Sequence, residues 1–130
     1  MKPEEQIRQN LIRDMIDRLG FPKELIVIEK ELAELPHLRE KKVPKRRIDL
    51  VCFTKKGDIL YPLLLVECKA IPLSDRALEQ VFGYNYYVGA RFVAIANDQG
   101  IIMIDGNGEN VRHELLSYRE LAGEESVSIV

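Results

Sequence analysis

Three charged residues lie in two otherwise apolar segments, and together they could perform hydrolytic chemistry. Asp49 lies in segment 48–54, and Glu67 and Lys69 lie at the end of segment 59–69; both segments predict β-strands. Because alternate side chains of a strand share a face, Glu67 and Lys69 point to the same side. Charges in so apolar a strand are costly without a partner or a function. Two carboxylates can hold a hard divalent cation such as Mg²⁺, and a lysine can activate a water or neutralise a phosphate.

The same alternation predicts what surrounds these charges. Leu63 and Leu65 are expected to share the face of Glu67 and to point into the interior. Cys52 and Cys68 alternate away from that face, and we interpret them as reduced, buried thiols rather than as a disulfide or a zinc site. The two histidines are isolated, so no Cys/His metal cluster is predicted.

The composition is typical of one folded domain, here residues 1–130, in an ordinary soluble protein. The chain has 130 residues, of which 46% are hydrophobic and 31% are charged, and its net charge is -2. No apolar run approaches the roughly 20 residues that a membrane-spanning helix needs, and no signal-like apolar region follows the N-terminus. We therefore expect a cytoplasmic location and no membrane partner.

Positive charge is concentrated directly before Asp49. Six basic residues fall within nine positions: Arg39, Lys41, Lys42, Lys45, Arg46 and Arg47. A protein that neutralises many phosphates is usually basic overall, which this chain is not. The run is therefore either a solvated loop or a local phosphate-binding surface in which Lys45, Arg46 and Arg47 hold the substrate.

An amphipathic helix is predicted over residues 3–19, with Gly20 as its C-terminal cap. Arg8 projects into its apolar stripe, and Glu4 and Glu5 lie on either side of the stripe. Charges on the buried side at the start of a helix are unusual, which supports a role near the acidic site, and we expect Arg8 to bind substrate. Alternatively, both glutamates only stabilise the helix dipole.

The remaining pattern predicts an α/β fold with element order α-β-β-β-α-β-β, in which a mixed central sheet has helices on both faces. A strand–helix–strand order implies a crossover between parallel strands, and Pro62 is expected to mark an edge or a bulge. The other expected elements are strands near 25–31, 91–96 and 101–104, a loop at 36–44, helices at 75–88 and 117–122, and a fraying tail to residue 130.

The second long helix carries a pair of polar residues one turn apart, Gln80 and Tyr84, which share one side of it. Ser74 or Asp75 is expected to cap this helix. Its buried face is expected to contain Leu78, Val81, Phe82 and Tyr86. On spacing alone, Gln80 and Tyr84 fit a polar helix surface as well as a functional pair.

Four segments carry a resemblance to a known group of enzymes. They are a helix-opening motif at 3–9, the triplet Arg47-x-Asp49, the strand 64–70 with its Glu67-x-Lys69, and Gln80-x-x-x-Tyr84. A lone E-x-K is weak, but four motifs in this order resemble the PD-(D/E)xK nuclease superfamily and, more narrowly, the N-terminal nuclease domain of type I restriction enzyme R subunits. Ile48 stands where the superfamily has a proline, and the restriction-subunit branch commonly has R-x-D there.

The resemblance implies a restriction-endonuclease-like core and a divalent-metal-dependent DNA endonuclease. In that reading Asp49, Glu67 and the backbone carbonyl of Cys68 hold Mg²⁺ or Mn²⁺. An accessory acid on the first helix binds a second metal or orients a ligand water, and Glu5 matches that motif position better than Glu4.

The resemblance also implies the remaining roles. Lys69 positions or deprotonates the attacking water, and Gln80 and Tyr84 orient the substrate or Lys69. The chain has no G-x-x-x-x-G-K-[ST] loop, so its activity is expected to be ATP-independent unless a partner motor or specificity subunit joins it. A double-strand cut needs two such sites, which makes a homodimer attractive.

Two other interpretations compete with the nuclease. The same fold could serve as a non-catalytic nucleic-acid-binding or assembly module. Alternatively, Asp49, Glu67 and Lys69 could form a buried structural ion-pair network, although buried ion pairs stabilise a core poorly and this reading leaves the other motifs unexplained.

Overall fold

The computed structural model describes residues 2–123 and is organised around a five-stranded sheet in the order β1-β2-β3-β4-β5. The strands are β1 (Ile26–Glu31), β2 (Arg47–Lys56), β3 (Ile59–Cys68), β4 (Phe92–Ala96) and β5 (Ile101–Asp105). Neighbouring strands are antiparallel, except that β3 and β4 are parallel. The sheet is therefore mixed, as predicted.

Within the described residues three helices accompany the sheet: α1 (Pro3–Asp17), α2 (Asp75–Val88) and α3 (Tyr118–Ala122). Short 3₁₀ turns at Lys23–Leu25, Leu32–Glu34 and Pro36–Leu38 fill the connections around β1. Helix α2 provides the long crossover that parallel strands require. No helix within residues 2–123 is long and apolar enough to cross a membrane. The predicted fraying of the tail concerns residues 124–130, which lie outside the described part.

The ends of α2 and α3 follow from local sequence signals. The Ser74 side chain accepts a hydrogen bond from the backbone N–H of Ala77, so Ser74 is the N-cap of α2. Gly89 ends that helix with a left-handed backbone at φ +72°, a conformation in which glycine has no steric penalty. Ser117 forms a capping box with Glu120 at the start of α3.

Two apolar clusters cover opposite faces of the sheet, which confirms the α/β class with helices on both sides. The α1-side cluster joins α1 and α3 to Leu50 and Val66, and the α2-side cluster joins α2 to Val51 and Leu65. Residues 63–68 are buried without a break. A strand covered on both faces needs apolar side chains at nearly every position, so a charge there requires an explanation.

A β-bulge shifts the register between β2 and β3. Cys52 pairs with Leu64 but Phe53 pairs with Pro62, which leaves Leu63 as an extra residue. Leu63 consequently packs in the α1-side cluster while Leu65 packs in the α2-side cluster. The expectation that Leu63 shares the face of Glu67 is therefore wrong, and the bulge expected at Pro62 is confirmed.

The buried face of α2 also differs from the prediction at one position. Tyr86 is 84% exposed, whereas its neighbour Asn85 is buried. The Asn85 amide donates to the carbonyl of Ala90 and accepts from the N–H of Ala90. An amide whose nitrogen and oxygen both form hydrogen bonds can be buried at little cost, so Asn85 takes the inward position next to β4, while Val81 is buried as predicted.

We expect Leu65→Ala to lower the free energy of unfolding by about 2–5 kcal/mol, because Leu65 is fully buried in the central strand. Ile59→Ala, on the same strand, is the matched control because Ile59 is 58% exposed; it should change the stability by less than about 0.5 kcal/mol. Urea denaturation of both variants measures the difference. Equal losses would contradict this assignment of the core.

Candidate active site

Asp49 and Glu67 form an acidic pair where β3 ends. Leu50 pairs with Val66 in the antiparallel ladder, so one step further along the same register Asp49 lies opposite Glu67. The Oδ2 atom of Asp49 accepts a hydrogen bond from the backbone N–H of Cys68 at 2.8 Å. This bond fixes the Asp49 carboxylate against the end of β3.

Glu67 is a buried acid, and one of its carboxylate oxygens has no hydrogen-bond partner among the described residues. Its residue exposure is 5%, and the oxygen in question is Oε1. Burial, followed by the hydrogen bond and negative charge of Asp49, raises the pKa of Glu67 to about 8, while Lys69 and Arg46 act in the opposite direction. Without a cation the acidic pair therefore retains a proton near neutral pH.

A divalent cation fits this arrangement. The free oxygen of Glu67 lies beside a second carboxylate, and hard cations such as Mg²⁺ are bound by one or two carboxylates together with waters. The Oδ2 atom of Asp49 accepts from the N–H of Cys68, and a hydrogen bond between Asp49 and Glu67 holds the two carboxyl groups together. Asp49 and Glu67, with the nearby backbone carbonyl of Cys68, could therefore supply oxygen ligands.

Lys69 lies directly after β3. Its backbone N–H donates to the carbonyl of Ala96 at 2.8 Å, which continues the parallel pairing beyond β4. Its positive charge lowers the pKa of Glu67, so the two charges are close enough to interact. The predicted juxtaposition of Asp49, Glu67 and Lys69 is what the structure describes.

The cysteines lie on the opposite face of the sheet, as predicted. Both are unbonded and buried, and both pack in the α1-side cluster. Burial raises the pKa of the Cys52 thiol and of the Cys68 thiol to about 12. Neither thiol is a nucleophile under ordinary conditions.

Arg46, at the end of the basic run, contacts Tyr84 of α2 and acts electrostatically on Glu67. The guanidinium carbon of Arg46 lies 4.0 Å from the centroid of the Tyr84 ring, a cation–π contact. The charge of Arg46 also lowers the pKa of Glu67. Gln80, one turn before Tyr84, is exposed. The structure thus brings Arg46 and Tyr84 to the acidic pair, with Gln80 on the adjoining surface of α2.

The other members of the basic run face solvent. Lys45 and Arg47 are exposed, as are Arg39, Lys41 and Lys42. Within residues 2–123 none of these five forms an ion pair with a carboxylate. They form an exposed positive surface. Both interpretations of the run, a solvated loop and a phosphate-binding surface, predict this exposure.

Helix α1 contributes differently from what the sequence predicted. Arg8 is buried, and its guanidinium pairs with the Glu29 carboxylate at 3.1 Å. The charge of Arg8 acts on Cys68, which packs on the face opposite Glu67. These contacts indicate that Arg8 links α1 to β1 through an ion pair. Its role in binding substrate stays a prediction.

Sequence reasoning missed Glu29. Its neighbours Ile28 and Lys30 pair with Leu50 and Ile48, so Glu29 stands opposite Asp49, with φ +51°. Such a backbone is uncommon outside glycine. No local signal in β1 marks Glu29 as the partner of a residue on α1.

The accessory acid predicted on α1 does not form one cluster with Asp49 and Glu67. Across the described part of the chain, no group of three or more His, Cys, Asp and Glu side chains is placed to hold a metal ion. Glu5 is half-buried and Glu4 is exposed, and the charge of Glu4 contributes to the raised pKa of Cys68. The centre therefore has two carboxylates, and the role of Glu5 stays a prediction.

The pKa of Glu67 gives a testable pH dependence. The folded protein holds this proton up to about pH 8, whereas an unfolded glutamate releases it near 4.5. Between these values the native state binds more protons, so in EDTA the free energy of unfolding should fall as the pH rises from 5 toward 8. Glu67→Gln, which cannot ionise, should show a weaker fall in urea denaturation. Parallel curves for both proteins would contradict the assignment.

Comparison with known proteins places this geometry in a family. Among curated proteins there is no significant match. The family model described as the type I restriction enzyme R protein N terminus (HSDR_N) matches residues 3–118, a span that contains the acidic pair, Lys69, Arg46 and Tyr84. Because this match covers most of the chain, the protein belongs to the type I restriction enzyme R protein N-terminal family.

Proposed function

We propose that this chain is a divalent-metal-dependent DNA endonuclease that hydrolyses phosphodiester bonds. The observation that carries the proposal is the buried Glu67 carboxylate, with an unmet oxygen, opposite Asp49 and close to Lys69. Membership in a restriction-enzyme family supports DNA as the substrate. It also supports a multi-subunit context, in which a motor or specificity subunit is a candidate partner.

Asp49 and Glu67, with the Cys68 carbonyl, would hold Mg²⁺ or Mn²⁺. When bound, such a cation polarises a phosphoryl oxygen and makes water more acidic. Asp49 is oriented by the Cys68 N–H, and Glu67 is held by the packing of the central strand. Glu5 is proposed as an accessory acid that binds a second cation or orients a ligand water.

Lys69 acts on the attacking water and on the charge that develops at the phosphate. The water oxygen forms the new P–O bond, its proton is transferred to a base or to solvent, and the bond to the leaving oxygen breaks. The Lys69 ammonium, already positioned beside this phosphate, would stabilise the charge of the transition state without a rearrangement of the site. Arg46 and Tyr84, with Gln80, would orient the strand, and Lys45 and Arg47 would neutralise neighbouring phosphates.

Lys69→Ala should reduce DNA cleavage by roughly a hundredfold or more while leaving the fold and metal binding largely intact. The assay is cleavage of supercoiled plasmid and of single-stranded DNA with Mg²⁺, Mn²⁺ or EDTA. Lys55→Ala is the matched control, because Lys55 is exposed near the hairpin end of β2. Asp49→Ala should lose both cleavage and metal binding.

The outcomes separate the competing functions. Cleavage that persists in Lys69→Ala would contradict the role of Lys69. Metal binding without cleavage in the unmodified chain would indicate a site that needs a partner or another substrate. A chain that binds DNA but neither cuts it nor binds metal would be a non-catalytic module.

Metal binding itself should depend on pH. Because Glu67 keeps a proton up to about pH 8 in the metal-free protein, Mn²⁺ must displace that proton, and its affinity should rise as the pH increases from 6 to 8. Isothermal titration calorimetry in buffers of different ionisation enthalpy measures the affinity and the protons released. Asp58→Asn, which alters an exposed carboxylate in the hairpin turn, is the control. Affinity that is independent of pH would contradict coordination by Glu67.

A further inference from the structure

One surface of α2 has a gap in its side chains. Gln80, Gly83, Tyr84 and Tyr87 are spaced three and four residues apart, so they are neighbours on the helix surface. Gln80, Gly83 and Tyr87 are exposed. Gly83 lies between the three larger residues and leaves bare backbone in the middle. We name these four residues the α2 patch.

The fold does not require a glycine at position 83. Gly83 lies within the helix and does not have a positive φ. A Cβ atom added there would meet no heavy atom within 4 Å. Glycine is unfavourable relative to alanine inside a helix, so neither conformation nor packing accounts for its presence. A ligand that approaches the helix backbone closely would account for it.

Arg46 borders the patch through its stack on Tyr84. The Nε atom of Arg46 is buried and has no hydrogen-bond partner among the described residues, and no carboxylate within residues 2–123 forms an ion pair with Arg46. A guanidinium held against an aromatic ring with unused donors is suited to bind a phosphate. The exposed basic run leads directly to this residue.

We propose that the α2 patch receives the sugar-phosphate backbone of a nucleic-acid strand, with closest approach at Gly83 and a phosphate contact from Arg46. Tyr87 stacks against a sugar or base of the same strand. The proposal rests on the proposed function, because it takes the substrate to be nucleic acid. It adds Gly83 and Tyr87 to the residues already proposed to orient the strand, and it fixes the path of the strand across α2.

Gly83→Ala gives a test in which stability and binding change in opposite directions. The helix should become more stable, with the Tm raised by roughly 2–4 °C. Binding of fluorescein-labelled single-stranded and duplex DNA, measured by anisotropy in EDTA, should weaken by roughly tenfold, the loss expected for one charge-assisted phosphate contact. Two exposed tyrosines provide a matched pair: Tyr87→Ala should weaken binding, and Tyr61→Ala, at the hairpin end of β3 and 42% exposed, should not.

The outcomes distinguish this proposal from the nuclease. Unchanged DNA binding by Gly83→Ala, or equal effects of the two tyrosine substitutions, would overturn the α2 patch and leave the nuclease intact. A lower Tm in Gly83→Ala would show a structural need for glycine and would also overturn it. DNA binding that is sensitive to Gly83→Ala, in a chain that neither cleaves DNA nor binds metal, would support the patch and reject the nuclease. A chain that binds no DNA would reject both.

Discussion

The burial of the Glu67 carboxylate beside Asp49 is the constraint on which the rest of this structure depends. Two acids on adjacent strands repel each other, and an apolar environment adds the cost of desolvation. Together these effects raise the pKa of Glu67 to about 8. The arrangement is unfavourable for stability alone and favourable for capturing a cation, so the surrounding elements must hold it in place.

The sheet meets that requirement through the position of β3. This strand lies between β2 and β4, and both of its faces are covered by apolar clusters. The parallel pairing with β4 places the crossover helix α2 on the face that carries Glu67. The connection from β1 places Arg46 over Tyr84. The fold therefore supplies positive charge from a loop and an aromatic support from a helix, while the carboxylates come from the sheet.

The sequence predicts the parts of this arrangement that depend on local patterns. Alternation in β3 identifies the shared side of Glu67 and Lys69, and the cap at Ser74 locates α2. Contacts between distant segments leave no such pattern. The bulge that turns Leu63 to the other face depends on the pairing of two strands. In the same way, the placement of Glu5 apart from the acidic pair depends on how α1 packs. The burial of Asn85 has a local cause, two hydrogen bonds with Ala90 just beyond α2, but a pattern of apolar spacing does not reveal it.

A net charge of -2 is compatible with nucleic-acid binding because the relevant field is local. Charges further apart than about 8–10 Å are largely screened at physiological salt, so a phosphate near α2 responds mainly to the groups around it. These groups are Arg46, which lies against Tyr84, and the exposed run that precedes it. The acidic pair, whose charge would otherwise repel phosphate, is buried, retains a proton in the metal-free state, and would be neutralised by a bound cation. On the proposed function, the charge of the site would thus depend on whether the metal is bound, and DNA would be attracted most strongly when the metal is present.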